Sequence, residues 1–161
     1  MLARQHAQGR EHAMGHPALT DAQTGLANGL HFDLVYSYLF AAGDRGLSFT
    51  VMLVSLGGPD RVAKADLRTV GQRVRSTTRD SDLVAHVGSG RYVVLLLGTN
   101  LQGARIAADR LEVALAEVAE VRAAFGLVAY SRSMKESSEL LEMADRALLA
   151  AEEAGGGVEL A

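Results

Sequence analysis

The chain has 161 residues, of which 48% are hydrophobic and 22% are charged, and its formal net charge is −3. This length is typical of one domain that can bury a hydrophobic core of its own. The small net charge excludes a nucleic-acid binder that depends on bulk positive charge. Because the chain contains no cysteine, disulfide bonds, thiolate zinc ligands and a cysteine nucleophile are excluded as well.

The first twenty residues lack the apolar core of a signal peptide, and the longest aliphatic run, residues 93–97, is too short to cross a membrane. We therefore expect no membrane span and a cytoplasmic location. The same segment carries His6, His12 and His16 with little periodicity. Since a metal site needs convergent ligands, we interpret residues 1–20 as a tail or linker and predict a domain over residues 21–161. Whether an upstream domain precedes the linker stays open.

Hydrophobic periodicity predicts alternating helices and strands. In chain order they are a helix over 28–43, a strand over 47–56, a helix over 62–78, strands over 83–87 and 92–97, a helix over 101–118, a strand over 121–129, a helix over 136–153 and an optional strand over 158–160. The glycines between residues 87 and 92 predict a hairpin. This order indicates the α/β (α+β) class, with one sheet covered by helices.

Two local details follow from the same pattern. In the first helix, Leu30, Leu34 and Tyr38 are predicted to share one apolar face with Phe40 or Ala41. Ser133 and Glu136 have the spacing of a capping box, so we expect them to begin the last helix.

Four segments then occur in a fixed order: Asp21-x-x-Thr24-Gly25-Leu26-x-Asn28, residues 79–88, residues 95–99 and residues 144–148. In this order and spacing, the chain resembles the GGDEF domain of the diguanylate cyclase family, whose members join two GTP molecules into cyclic di-GMP. The resemblance covers about residues 21–160. It implies a ferredoxin-like, nucleotidyl-cyclase-like sheet with helices packed on it and a central β-hairpin.

The signature turn departs from the family pattern. Active members have Gly-Gly-Asp/Glu-Glu-Phe, whereas this turn reads Gly88-Ser89-Gly90-Arg91-Tyr92. In the family the acidic pair coordinates metal, so Arg91 puts a cation where a carboxylate would hold Mg²⁺.

Further positions of the family's active site are also changed. Its remaining metal carboxylates form an Asp-x-Asp pattern at the end of the first sheet strand, and these positions are Ser55 and Gly57 here. The following segment is shorter than in the family and lacks its guanine-reading Asn and Asp. The lysine that neutralises the triphosphate aligns with Glu152. Because phosphoryl transfer depends on such positioned charges, we expect no cyclase activity, no catalytic residues and no metal.

One binding motif of the family is retained. Many cyclases have an inhibitory Arg-x-x-Asp site five residues before the signature turn, and Arg79 and Asp82 stand in that register. The string alone is expected by chance in a chain with this many arginines and aspartates, so its position carries the information. A guanidinium can fork onto a phosphate or onto guanine, and a carboxylate accepts from guanine N1–H and N2–H. The family's additional arginine aligns best with Arg110, and Arg105 is the alternative.

For three residues near the turn and one on the last helix, we predict burial, exposure or a structural role and no part in catalysis. Tyr92, which replaces the family's Phe, is predicted to lie in the core, and His86 is predicted to point outward from its strand. We expect Arg91 to be exposed, and we interpret Asp145 as structural.

The resemblance implies a catalytically inactive GGDEF-like domain that acts as a receptor for cyclic di-GMP in bacterial signalling and needs no cofactor. The alternative is a ligand-free interaction or dimerisation module that keeps only the fold, with Arg79 and Asp82 in ordinary structural roles. The losses at Ser55, Gly57 and Glu152 argue against a third alternative, a GTP-binding regulatory domain. A homodimer or a downstream protein partner is compatible with the first two functions, and we expect no nucleic-acid partner.

Overall fold

The computed structural model describes residues 16–119 and 122–161. Its helices and strands, in chain order, are α1 (Gly29–Gly43), β1 (Phe49–Ser55), α2 (Pro59–Lys64), α3 (Leu67–Thr77), β2 (Leu83–His86), β3 (Arg91–Leu97), α4 (Leu101–Ala116), β4 (Ala124–Ala129), α5 (Ser137–Glu153) and β5 (Gly157–Leu160). In this part of the chain, no helix has both the length and the apolar character needed to cross a membrane.

The five strands form one mixed sheet in the order β2-β3-β1-β4-β5. The central strand β1 is antiparallel to both β3 and β4, whereas β5 pairs parallel to β4. The predicted fold class and the β2–β3 hairpin are therefore confirmed. The helix predicted over 62–78 is divided into α2 and α3, because the backbone at Ala65 and Asp66 is extended.

Both faces of the sheet are buried, which explains why the central strands read as continuous apolar runs. Along β1, Val51 and Leu53 pack on one side with residues of α1 and α5. Met52 and Val54 pack on the other side with residues of α3 and α4. The alternation places α1 and α5 on one face and α3 and α4 on the other.

The apolar face predicted for α1 is not the buried one. Leu30, Leu34 and Tyr38 are 53%, 58% and 72% exposed, and the opposite stripe of Phe32, Tyr36 and Leu39 enters the core. The physical reason is aromatic packing. The Phe32 and Tyr36 rings stack at 5.5 Å, and the Tyr36 hydroxyl donates to the Ser137 carbonyl.

The predicted capping box of the last helix is wrong. Helix α5 begins at Ser137 with Glu136 in the N-cap position, and no side chain caps it. Ser133 lies too far upstream to reach the first turn, and its hydroxyl is 2.9 Å from that of Ser131 instead.

The end of the predicted linker contacts the domain. Thr20 forms a β-bridge with Ala27, and the Asn28 side chain donates to the Ala18 carbonyl at 3.0 Å. His6 and His12 lie outside the described residues, and the division at residue 20 stays a prediction.

We predict that Gly126→Ala destabilises the protein by about 1–3 kcal/mol, because a Cβ at this position overpacks the interface between β4 and α5. That Cβ would lie 2.5 Å from the Leu148 nitrogen and 2.7 Å from the Ala144 oxygen, both backbone atoms. Gly29→Ala is the control, since nothing lies within 4 Å of its added Cβ and alanine favours the helix. Urea unfolding checks both variants, and equal stabilities would contradict the packing argument.

Candidate functional site

A cleft of about 520 Å³ lies between the turn that follows α3 and one side of α4. The three residues predicted to bind ligand, Arg79, Asp82 and Arg110, all line it. Its walls combine hydroxyl and amide side chains with apolar ones, namely Ser48, Thr77, Thr78, Thr99, Asn100, Met52, Leu96, Ile106 and Leu111. Arg105, the alternative arginine, does not line this cleft and pairs with Asp109 at 3.2 Å.

Asp82 is buried at the base of this cleft, with a side chain that is 2% exposed. Its Oδ1 accepts from the Leu97 backbone N–H at 3.1 Å, and its Oδ2 accepts from the Arg79 backbone N–H at 3.1 Å. The carboxylate thus fastens the turn after α3 to the end of β3.

The Arg79 side chain closes over this carboxylate. Its Nε–H donates to Oδ2 at 3.4 Å and its Nη2 donates to Oδ1 at 3.3 Å. Nη2 also lies 2.7 Å from the Leu97 carbonyl and 2.7 Å from the Thr99 hydroxyl. The guanidinium is nevertheless 60% exposed, so it forms part of the cleft surface.

Sequence reasoning missed Arg75, whose side chain donates hydrogen bonds to two backbone carbonyls of the same turn. Its Nη1 donates to the Asp82 carbonyl at 2.7 Å, and its Nη2 donates to the Arg79 carbonyl. The available signal was a basic residue in the last turn of α3, where a cation can satisfy carbonyls at a helix end. Arg75 is a positioning residue for Arg79 and Asp82.

Arg110 gives the cleft its positive charge. Within the described residues, its side chain makes no hydrogen bond or ion pair with another protein group, whereas Asp82 compensates Arg79. An unpaired guanidinium beside a neutralised pair favours an anionic ligand.

The signature turn lies at the opposite end of β3. Gly88, Ser89 and Gly90 all have positive φ angles, of 94°, 54° and 68°. The Arg91 N–H donates to the Gly88 carbonyl at 3.0 Å and closes the turn. Ser89 is the one non-glycine residue with positive φ among the described residues, which marks backbone strain at this turn.

Arg91 is exposed, as predicted, and it faces two carboxylates of α5. Its guanidinium lies 3.5 Å from Glu152 and 3.8 Å from Asp145. Ser55 stands opposite Arg91 in the β1–β3 ladder, and its hydroxyl accepts from the Gly57 N–H at 3.2 Å. Gly57 and Glu152 line a smaller cleft of about 330 Å³ with Arg61 and Arg122.

Arg91, Ser55 and Glu152, which we interpret from the sequence as departures from the family pattern, therefore lie close together in the fold. Over residues 16–119 and 122–161, no three histidine, aspartate or glutamate side chains converge into a group that could hold a metal ion.

The prediction that His86 points outward is wrong. Its ring is buried and packs 5.0 Å from that of Tyr92, while Nδ1 lies 3.1 Å from the Asp21 carboxylate. The cause is a distant segment of the chain: Ala27 pairs with Ala85 and covers the edge of β2. The core position predicted for Tyr92 is confirmed. Its hydroxyl donates to the Leu67 carbonyl at 2.7 Å, and burial raises the pKa of that hydroxyl.

Comparison with solved structures gives the same fold. The coiled coil and GGDEF domain of DgcB from Caulobacter crescentus, in complex with c-di-GMP, is similar with a TM-score of 0.80 and 17% identity, covering 99% of this chain and 92% of that one. The diguanylate cyclase SiaD from Pseudomonas aeruginosa, in complex with its activator SiaC, is similar with a TM-score of 0.77 and 20% identity, covering 95% and 65%. The FimX GGDEF domain from Pseudomonas aeruginosa has a TM-score of 0.75 and 18% identity, covering 88% and 97%.

A comparison with curated proteins gives no match. The family model described as diguanylate cyclase, GGDEF domain, matches residues 60–157, which is more than half of the chain. The matched region runs from α2 to the beginning of β5 and includes the signature turn and the cleft residues Arg79, Asp82 and Arg110. The chain therefore belongs to the GGDEF domain family.

Proposed function

We propose that this protein is a catalytically inactive GGDEF domain that acts as a cytoplasmic receptor for cyclic di-GMP. The observation that carries the proposal is the cleft in which Arg79, Asp82 and Arg110 meet. Support also comes from the two similar DgcB structures, which are complexes with c-di-GMP.

The chemistry of the cleft suits a cyclic dinucleotide. Two guanidinium groups can bind the phosphates, and the charge of Arg110, which has no partner in the described part of the chain, attracts a dianion. Asp82 can accept from the N1–H and N2–H groups of guanine, which adenine does not offer. The apolar side chains of Ile106 and Leu111 provide a wall against which a base can pack.

The inactivity that we propose is supported by the charges at the signature turn. Arg91 lies between Glu152 and Asp145 and supplies a positive charge where the family's reaction needs oxygen ligands for a divalent ion. The Ser55 hydroxyl accepts from a backbone N–H, and Gly57 has no side chain to ligate a metal.

A second candidate function is a dimerisation or protein-interaction module that binds no nucleotide. The observation that favours it is the exposed apolar face formed by Leu30, Leu34 and Tyr38 on α1. An apolar stripe of this kind is typical of interaction surfaces. Nucleotide titration separates the two candidates, because only the receptor binds cyclic di-GMP.

We predict that the purified protein forms no cyclic di-GMP from GTP with Mg²⁺ or Mn²⁺. Arg91→Glu will not restore the reaction, because Ser55 and Gly57 still supply no carboxylate for the metal. Chromatography of the reaction mixture detects any cyclic di-GMP formed by the unaltered protein or by Arg91→Glu. An active diguanylate cyclase run in parallel is the positive control. Formation of the product by the unaltered protein would overturn the proposed inactivity.

We predict that cyclic di-GMP binds and that Arg110→Ala weakens binding about 10- to 150-fold, as expected for loss of a charge-assisted contact of about 1.5–3 kcal/mol. The control is Arg105→Ala on the same helix, which removes an equal charge outside the cleft and is expected to change affinity much less. Isothermal titration calorimetry measures the affinity of the unaltered protein, Arg110→Ala and Arg105→Ala for cyclic di-GMP. Absence of binding heat and of thermal stabilisation in the unaltered protein would reject the receptor and favour the interaction module.

We predict that Asp82→Asn reduces the preference for cyclic di-GMP over cyclic di-AMP. A carboxylate accepts two parallel donors from guanine, whereas an amide presents one donor and one acceptor, which match the edge of adenine. Titration with both dinucleotides measures the ratio of affinities, and thermal unfolding verifies that the variant is folded. An unchanged ratio would show that Asp82 does not read the base.

A further inference from the structure

We infer that the Arg79 guanidinium occupies, in the free protein, the edge of Asp82 that a guanine base takes in the complex. Binding then exchanges one planar pair of donors for another. This inference rests on the proposed receptor function. It concerns the same cleft, which is closed when the Arg79 side chain covers the Asp82 carboxylate and open when that side chain has moved away.

The acceptor positions of Asp82 show that the exchange is required. A carboxylate has about four lone-pair positions, two on each oxygen. One on each oxygen accepts a backbone N–H, from Leu97 and Arg79 respectively. The second on each oxygen accepts from the Arg79 side chain. A base can reach the carboxylate only after that side chain leaves.

The two groups that compete have the same donor pattern. Arginine presents Nε–H and Nη–H side by side in one plane, and guanine presents N1–H and N2–H in the same way. The two backbone donors remain when Arg79 leaves, so they keep the carboxylate facing the cleft. The adenine edge carries an acceptor at N1 and cannot replace the guanidinium on Asp82.

The burial of the two side chains agrees with a closed state. Asp82 is 2% exposed and Arg79 is 60% exposed, so the guanidinium lies over the carboxylate on the side of the cleft. Movement of this one side chain exposes the carboxylate and leaves its backbone anchors in place. The released guanidinium then faces the cleft with Arg110 and can bind a phosphate.

Thr99 holds the closed state and can be changed without altering the shape of its side chain. Its hydroxyl lies 2.7 Å from Arg79 Nη2, the same distance as the Leu97 carbonyl. Thr99→Val removes this acceptor from the closed state and leaves Asp82 and its backbone donors intact. If closure competes with the ligand, loss of this hydrogen bond increases affinity.

The test is calorimetric titration of cyclic di-GMP into the unaltered protein, Thr99→Val and Thr78→Val. We expect Thr99→Val to bind about 2- to 10-fold more tightly, the change that corresponds to one net hydrogen bond. Thr78→Val is the matched control, because its hydroxyl lines the same cleft but bonds to the Arg75 carbonyl at 3.1 Å. We expect Thr78→Val not to increase affinity. An unchanged or weaker affinity for Thr99→Val, or an equal gain in the control, would overturn the inference.

A second measurement follows the guanidinium directly. In arginine side-chain NMR spectra, we expect cyclic di-GMP to shift the Arg79 Nε–H signal, and an equal concentration of cyclic di-AMP to leave it in place. If cyclic di-GMP binds by calorimetry and this signal does not move, the exchange is wrong and the receptor stands. If neither the unaltered protein nor Thr99→Val binds, both the receptor and the exchange are rejected.

Discussion

The cleft depends on one buried carboxylate. A charged group out of contact with water must have donors for its lone pairs, and Asp82 obtains them from the backbone of its own turn and from the end of β3. Arg75 satisfies two carbonyls of the same turn from the other side. The turn after α3 is thereby fixed to the sheet through side chains, although it contains no regular secondary structure. This is why Arg79, on an exposed turn, has a defined position opposite α4.

Strand β3 separates the signature turn from the cleft that contains Arg79. It begins at Arg91, next to the signature turn, and ends at Leu97, next to Asp82. At about 3.3 Å per residue, the two ends are about 20 Å apart. This separation exceeds the Debye length at physiological ionic strength, so charges at one end of β3 have little effect on charges at the other end. The loss of metal binding that we propose for the signature turn, where Arg91 lies, therefore leaves the residues that line the cleft undisturbed.

Much of the fold could be predicted because the central strands β1 and β3 are continuous apolar runs closely followed by glycine. The place of the cleft could be predicted because Arg79 and Asp82 stand in a fixed register before the turn. The sequence could not reveal contacts between distant segments. His86 alternates as an outward residue until the segment around Ala27 covers it, and the buried face of α1 is decided by ring packing around Tyr36. Arg75 was missed because its partners are backbone carbonyls, which no side-chain motif records.

Three arginines lie near the ends of β3, and they differ in whether a carboxylate already pairs with the guanidinium. This pairing, and not the residue type, decides whether the charge is free to bind an anion. Arg91 faces two carboxylates of α5, Arg79 faces a buried carboxylate, and Arg110 has no partner among the described residues. In the proposed receptor, Arg110 is therefore the charge that an approaching anion meets first, and such a charge increases the rate of encounter. Arg79 can take part only after giving up its bonds to Asp82, so its contribution depends on a ligand that replaces it there. In the proposed receptor, a guanine base offers such a replacement and a simple phosphate does not, so the Arg79–Asp82 pair would supply selectivity and Arg110 would supply attraction.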